Sequence, residues 1–440
     1  MKKLKESLYL FILLICLSGT STVKQDSFLS SIFEREWKYS LEQNPVYATS
    51  LGIKGFETLW KDLSLNAISS RNIHLQKLLT ELNSINPNDL NQENKLNLRL
   101  FTEITKSEIS LNNFNRDLMP FNHRGGVQLA HEEVESIPMK TKDDYENWLK
   151  RLGKLDVLIN QTIFLARKGI EEGYKAPKVI MERVYRQIHL QKNTNIEKNP
   201  YYQIFKQIPS SISLEERKSL QKRAQKRILE EVIPAYDKLH NFFVEEYLPN
   251  SRRTVGIYDT PSGKELYKVL VKSFTTTDLT PEEIHQIGLR EVSRIRNEMD
   301  KVIKEVGFNG SFKEFLLFLR NDERFYFKSS DELFKGYLAI SKSIDPELTK
   351  LFKTLPRTPY GLRPIPPESA PDTTTAYYMP PGPKGLRAGY YYVNLYRPET
   401  RPKFEMEVLS VHEAVPGHHL QISLAMEKDN MPMFRRVSPY

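Results

Sequence analysis

The chain has 440 residues, and at roughly 150 residues per domain that allows up to three domains or one large helical unit. Hydrophobic residues at 39%, aromatics at 11% and charged residues at 27% supply ample core and exclude a disordered chain. A single cysteine excludes an intramolecular disulfide framework, and a net charge of +9 spread along the chain reads as solubility or weak attraction to anionic surfaces.

Met1 to Ser21 reads as an export signal: Lys2, Lys3 and Lys5 precede a ten-residue apolar run, Leu8 to Leu17, and small residues follow up to Ser21. Ten apolar residues span about 15 Å as a helix, half the hydrocarbon core of a bilayer, so export is favoured over a membrane span. Cys16 is a weaker candidate for a lipid anchor, because bulky Ile15 stands where a small residue is wanted. The chain is therefore expected to be exported to the periplasm or cell envelope. Two regions follow, an N-terminal helical region over 22–250 and a motif-bearing helical region over 251–440.

Residues 143–172 carry Trp148, Leu149, Leu152, Leu155, Ile159 and Ile163 at the three-and-four spacing of one buried helical stripe. Residues 214–247 predict another long helix, broken or kinked at Pro234. Its basic face (Arg217, Lys218, Lys222, Arg223, Lys226, Arg227) reads as solvated, because no aromatic stacking pattern accompanies it; no nucleic-acid partner is expected. Thr280-Pro281-Glu282-Glu283 is a capping box that starts a helix running to about Val306, stopped by Gly307. His285 within it reads as an ordinary helix residue, and Asp278 and Glu283 as capping residues. Between Pro356 and Pro402 lie eleven of the 26 prolines, which exclude long helices. Inside that stretch Gly389 to Leu395 is aromatic and β-branched, and its proline flanks predict an edge strand or hairpin arm near residues 388–396. Helical character returns over residues 404–415. The expected fold is mainly α, a large multi-helix fold with one small β element.

Three of the nine histidines fall in His412-Glu413-Ala414-Val415-Pro416-Gly417-His418-His419. A His-Glu pair followed by further histidine is the zinc-hydrolase arrangement: neutral imidazoles hold Zn²⁺ and the glutamate takes a proton from water. The usual second histidine lies four residues on, where this chain has Pro416. On an unbroken helix His418 would be rotated about 240° from His412, and His419 would sit about 10.5 Å along the axis. Pro416 and Gly417 predict a break that absorbs the two extra residues and lets His418 converge with His412. The competing reading is a kinked helix with surface histidines. Tyr390, Tyr392 and Asn394 are candidate substrate-binding residues, on a strand that could accept an extended peptide by backbone hydrogen bonds.

The run Val411 to Gln421 resembles the signature of a bacterial family of exported, gluzincin-like zinc-metallopeptidase-like proteins, domain-of-unknown-function family 885. Two other stretches are similar to it: Thr275 to His285, and Gly389 to Asn394 with Arg401-Pro402. The resemblance covers most of the chain after the export signal. It implies a mainly helical fold, one zinc ion held by His412 and His418 (His419 the alternative), Glu413 as general base, and peptide substrates. Gly417-His418-His419-Leu420 favours His418 over His419. In the family a glutamate helix follows the segment that resembles Phe434-Arg435-Arg436 and completes the metal site. This chain stops at Tyr440 before such a helix, so it reads as truncated, and Glu427 and Asp429 are poorly placed substitutes. Weak or absent zinc and doubtful activity are expected, with a non-catalytic peptide-binding or remnant envelope protein as the alternative.

Overall fold

A computed structural model describes residues 2–437 apart from Glu368 and 383–386, with side chains from Val23 onward. The side chains of the export segment, Cys16 included, lie outside the described residues. The architecture is mainly helical with one small three-stranded sheet. Among the described residues no helix is long and apolar enough to cross a membrane. The chain divides into two compact units, one of residues 1–273 with a returning segment from Asn430, the other of Phe274–Asp429.

The first unit is built from α1 (Lys2–Gln43), α2 (Leu65–Asn83), α3 (Gln92–Asn112), α4 (Lys142–Leu152), α5 (Leu155–Glu172), α6 (Lys178–Gln191), α7 (Leu214–Arg227) and α8 (Ile233–Phe242). The expected stripe is buried throughout, from Trp148 to Ile163. It belongs to two helices, however, because the chain leaves helical geometry at Lys154 (φ −113°, ψ 9°). Three-and-four spacing is satisfied equally by two helices that face one core, so periodicity alone does not reveal the break. Pro234 does not break the helical run: the turn before it is a π-helical segment, Ile228–Val232, which accommodates the missing N–H and ring bulk. Deep in this unit Tyr201 and Tyr236 share a 2.7 Å hydrogen bond, and the Tyr236 hydroxyl also reaches the Val127 carbonyl. The returning segment packs Phe434 on Phe33 and Phe101, with ring centroids 5.1 and 4.8 Å apart.

In the second unit α9 (Pro281–Glu305) begins with the capping box read from the sequence. Thr280 accepts from the Glu283 N–H, and the Glu283 carboxylate accepts from the Thr280 N–H. After α10 (Ser330–Ile344) come three strands, β1 (Tyr360–Pro364), β2 (Ala376–Met379) and β3 (Gly389–Val393), in the order β1-β3-β2. β3 pairs in parallel with β1 (Leu362 opposite Tyr391) and antiparallel with β2 (Tyr378 opposite Tyr391). The strand near 388–396 is thus a hairpin arm, but it is central and not at the edge. Its flanking prolines lie outside the paired residues and do not interrupt either ladder.

Alternation along the strands gives the sheet two different faces. Ala376, Tyr391 and Val393 pack with Leu333 and Tyr337 of α10 and with Met406 of α11 (Lys403–Glu413). The opposite face carries Tyr377, Met379, Tyr390 and Tyr392 around Ile365 and Ala370. α12 (His418–Met426) follows α11 after four residues.

Candidate metal centre

α11 ends at Glu413, where Ala414 takes φ −102° and ψ −101°, and the Val415–Pro416 peptide bond is cis. The His419 N–H donates to the Ala414 carbonyl at 3.0 Å, which closes the break against the start of α12. Gly417 is required here. A Cβ on it would lie 1.9 Å from the His412 carbonyl oxygen and 2.4 Å from that of Val411, both backbone atoms. The chain therefore doubles back tightly enough to set His418 beside His412.

Ligand atoms of His412, Glu413 and His418 all lie within 4.8 Å of one another. The two imidazoles meet edge to face, with centroids 4.7 Å apart and planes at 82°. His418 Nε2 is 3.9 Å from Glu413 Oε2. Two donors on one tetrahedral zinc stand roughly 3.4 Å apart, from bond lengths near 2.1 Å. Small side-chain rotations would bring this set to that spacing, so the residues fit a divalent cation. Glu413 is buried and His412 is exposed, so the cluster has an inner wall and a solvent side. Burial raises the Glu413 pKa above the usual carboxylate range, opposed by His418, His412 and the backbone N–H of Tyr378.

His419 is not part of this cluster. It is 2% exposed, and its Nδ1 lies 2.8 Å from the Tyr378 hydroxyl and 3.3 Å from that of Ser423. Burial lowers its pKa to about 4, against a bond to the Thr358 backbone that favours the charged form. The Tyr378 contact and the Thr358 backbone bond hold the ring, which ties β2 to α12. Gly389 makes room for this contact, since a Cβ there would sit 2.1 Å from the Tyr378 hydroxyl. Glu427 is engaged elsewhere: its carboxylate accepts from the N–H groups of Arg357 and Thr358 and from the Thr358 hydroxyl.

Of the candidate substrate residues, Tyr390 and Tyr392 lie on the sheet face away from α11. Asn394 is 1% exposed, and its amide donates to the carbonyls of Ala370 and Thr374. His285 is exposed on α9. Because β1 and β2 occupy both sides of β3, a peptide cannot add to that strand. The sheet edge nearest Glu413 belongs to β2, whose Tyr378 N–H is engaged by the carboxylate. Tyr378 is the residue that sequence reasoning misses. Its signal is modest, a β-prone run Thr373 to Met379 stopped by Pro380-Pro381.

The model of bacterial proteins of unknown function called DUF885 matches residues 45–440, nine-tenths of the chain. The chain belongs to the DUF885 family. No curated protein matches it. Among solved structures, this DUF885 chain is similar to a candidate lipoprotein from Colwellia psychrerythraea, with a TM-score of 0.84 and 23% identity over 94% of this chain and 75% of that one. A candidate lipoprotein of unknown function from Shewanella oneidensis is also similar, with a TM-score of 0.59 and 15% identity over 93% of this chain and 73% of that one. At these identities the likeness concerns the fold.

Proposed function

We propose that this DUF885 protein is a metal-dependent hydrolase of peptides, with His412 and His418 as zinc ligands and Glu413 as general base. The observation that carries the reading is the convergence of the three side chains across the break at residues 414–417, with Glu413 buried and His412 open to solvent. Zinc held there would polarise the attacking water and the peptide carbonyl. Glu413 would take a proton from that water through its carboxylate and pass it to the leaving amine nitrogen, from its place beside His418 and His412. The rim of β2 aligns the substrate by backbone hydrogen bonds. Among the described residues no third histidine or separate carboxylate joins the cluster, so zinc is held weakly. With about half of the ~10–16 kcal/mol of a four-ligand structural site, the expected Kd is roughly 1 μM to 0.1 mM.

We also place the protein outside the cytoplasm. The basic, apolar and small residues of Met1 to Ser21 support export, and the structural neighbours are described as candidate lipoproteins.

The second reading is a non-catalytic peptide binder of the cell envelope. It is favoured by the way Glu413 itself completes the donor set, since a metal that recruits Glu413 as ligand leaves no base. The test is zinc titration and peptide hydrolysis with the wild type, Glu413→Gln, His412→Ala and His418→Ala. The hydrolase reading requires chelator-sensitive cleavage lost in all three variants, with zinc binding retained only in Glu413→Gln. Cleavage that survives Glu413→Gln rejects the mechanism. Zinc binding that fails in Glu413→Gln, with no cleavage by the wild type, assigns Glu413 as a ligand.

A further inference from the structure

Arg151, near the end of α4, is 0% exposed. Its Nη2 donates to the Thr49 hydroxyl at 2.7 Å and to the Phe56 carbonyl at 2.9 Å. The guanidinium carbon lies 5.7 Å from the Trp60 ring centre and 5.9 Å from that of Trp148. All of these partners are neutral. Among the described residues no carboxylate pairs with Arg151; Glu133 and Glu57 act on it only at a distance. Burial lowers its pKa to about 10, so the group is still charged at neutral pH. Its Nε and Nη1 have no acceptor, and neither has Nε1 of Trp148, one helical turn earlier on α4.

Both side chains line one cavity of about 40 Å³ in the first unit. Buried donors normally find acceptors. A water there would satisfy an N–H and leave the charge uncompensated, whereas an anion answers both. A water-sized group needs about 10–15 Å³ of such space, so the cavity holds about three heavy atoms, the size of a carboxylate. Ile53, Ile137 and Pro138 supply apolar walls. Lys54, 82% exposed, also lines the cavity, which therefore reaches the surface. So do Glu57 and Asp144, whose carboxylates are engaged by the N–H groups of Gly55 and of Lys140 and Thr141. Their charge disfavours a ligand with a second negative group.

We infer that the cavity beside Arg151 and Trp148 is a binding site for a small aliphatic monocarboxylate. The carboxylate takes the unanswered N–H donors of the two side chains, and the short tail packs on Ile53, Ile137 and Pro138. Every residue of the site belongs to the first unit, so the inference does not rest on the hydrolase reading of Glu413.

Saturation-transfer NMR on zinc-free full-length protein, prepared with a neutral chelator and dialysed, would titrate propionate, propionamide and succinate at low salt. Removing zinc first keeps a metal from binding the carboxylates. Propionate is expected to bind about tenfold or more tighter than its neutral isostere propionamide, the range of a charge-assisted hydrogen bond. It should also bind tighter than succinate. Arg151→Gln should abolish the preference for propionate over propionamide. Should that variant fail to fold, Ile53→Phe, which fills the cavity and leaves Arg151 in place, should weaken propionate at least tenfold. No saturation transfer to propionate overturns the inference, as does equal binding of propionate and either competitor. So does a preference that survives in folded Arg151→Gln, or propionate binding unchanged in Ile53→Phe. Bromide that displaces propionate at equal concentration would mark an unselective anion site and overturn the carboxylate assignment.

Discussion

Replacing Gly417 by alanine probes the turn that brings His418 beside His412 in the candidate metal centre. The added methyl would meet the carbonyl oxygens of His412 and Val411 at 1.9 and 2.4 Å. A carbon–oxygen contact needs at least 3.0 Å, so the break must open by more than about 0.5–1 Å, and neither obstacle is a flexible side-chain end. Overpacking typically costs about 1–3 kcal/mol, and two simultaneous backbone clashes place this case near the top of that range. For a unit of this size the melting temperature should fall by roughly 5–10 °C. His418 should move away from His412, so zinc affinity should drop at least tenfold. Gly288 supplies the control. It lies inside α9, and a methyl added there would meet nothing within 4 Å, so Gly288→Ala should stabilise by about 0.5–1 kcal/mol through helix propensity alone. Calorimetric melting and zinc titration of both variants decide the matter. A Gly417→Ala protein with wild-type melting and wild-type zinc affinity would refute the steric argument.

His131 is buried, and among the described residues neither ring nitrogen has a hydrogen-bond partner, the Glu132 carboxylate lying 3.9 Å from Nε2; burial lowers its pKa to about 4. The unfolded chain binds a proton there below about pH 6.5 that the folded chain refuses until about pH 4. Stability is therefore full above pH 6.5 and falls as the pH drops toward 4, by roughly 3 kcal/mol from this group. Urea denaturation followed by tryptophan fluorescence at pH 7 and 5 measures the loss, since Trp37, Trp60 and Trp148 all lie in the first unit; His131→Leu should flatten the dependence. Thr280→Ala removes one half of the α9 capping box and should cost about 1 kcal/mol in thermal or urea unfolding. Asn394→Ala removes the amide that donates to the carbonyls of Ala370, in a buried bond, and Thr374, in a part-buried one. It should cost about 2–4 kcal/mol, and an unchanged urea midpoint would mean those carbonyls find water instead.

Much of the fold is legible in local pattern. Thr280 and Glu283 announce a helix start through two backbone bonds that involve only four neighbouring residues. Trp148, Ile159 and Ile163 announce burial through spacing, and Pro416-Gly417 announces the interruption between His412 and His418. What escapes local pattern is set by distant partners. The central place of β3 depends on β1, a short strand containing Gly361 and ending in Pro364 that carries little strand signal of its own. The division of labour between His418 and His419 depends on Tyr378, Thr358 and Ser423, which lie beyond any helical register. The resemblance of Gly417-His418-His419-Leu420 to related peptidases favours His418; in the structure His418 lies beside His412, while His419 is engaged in joining β2 to α12.

The three-stranded sheet also has an asymmetry that bears on self-association. β1 ends in proline and carries an outward arginine, features that discourage a neighbouring molecule from docking backbone to backbone. β2 has no proline or charge within Ala376–Met379. Stray strands would thus be drawn to the edge of β2 rather than to that of β1, so self-association through this sheet should run through the same edge that the proposed function gives to a peptide.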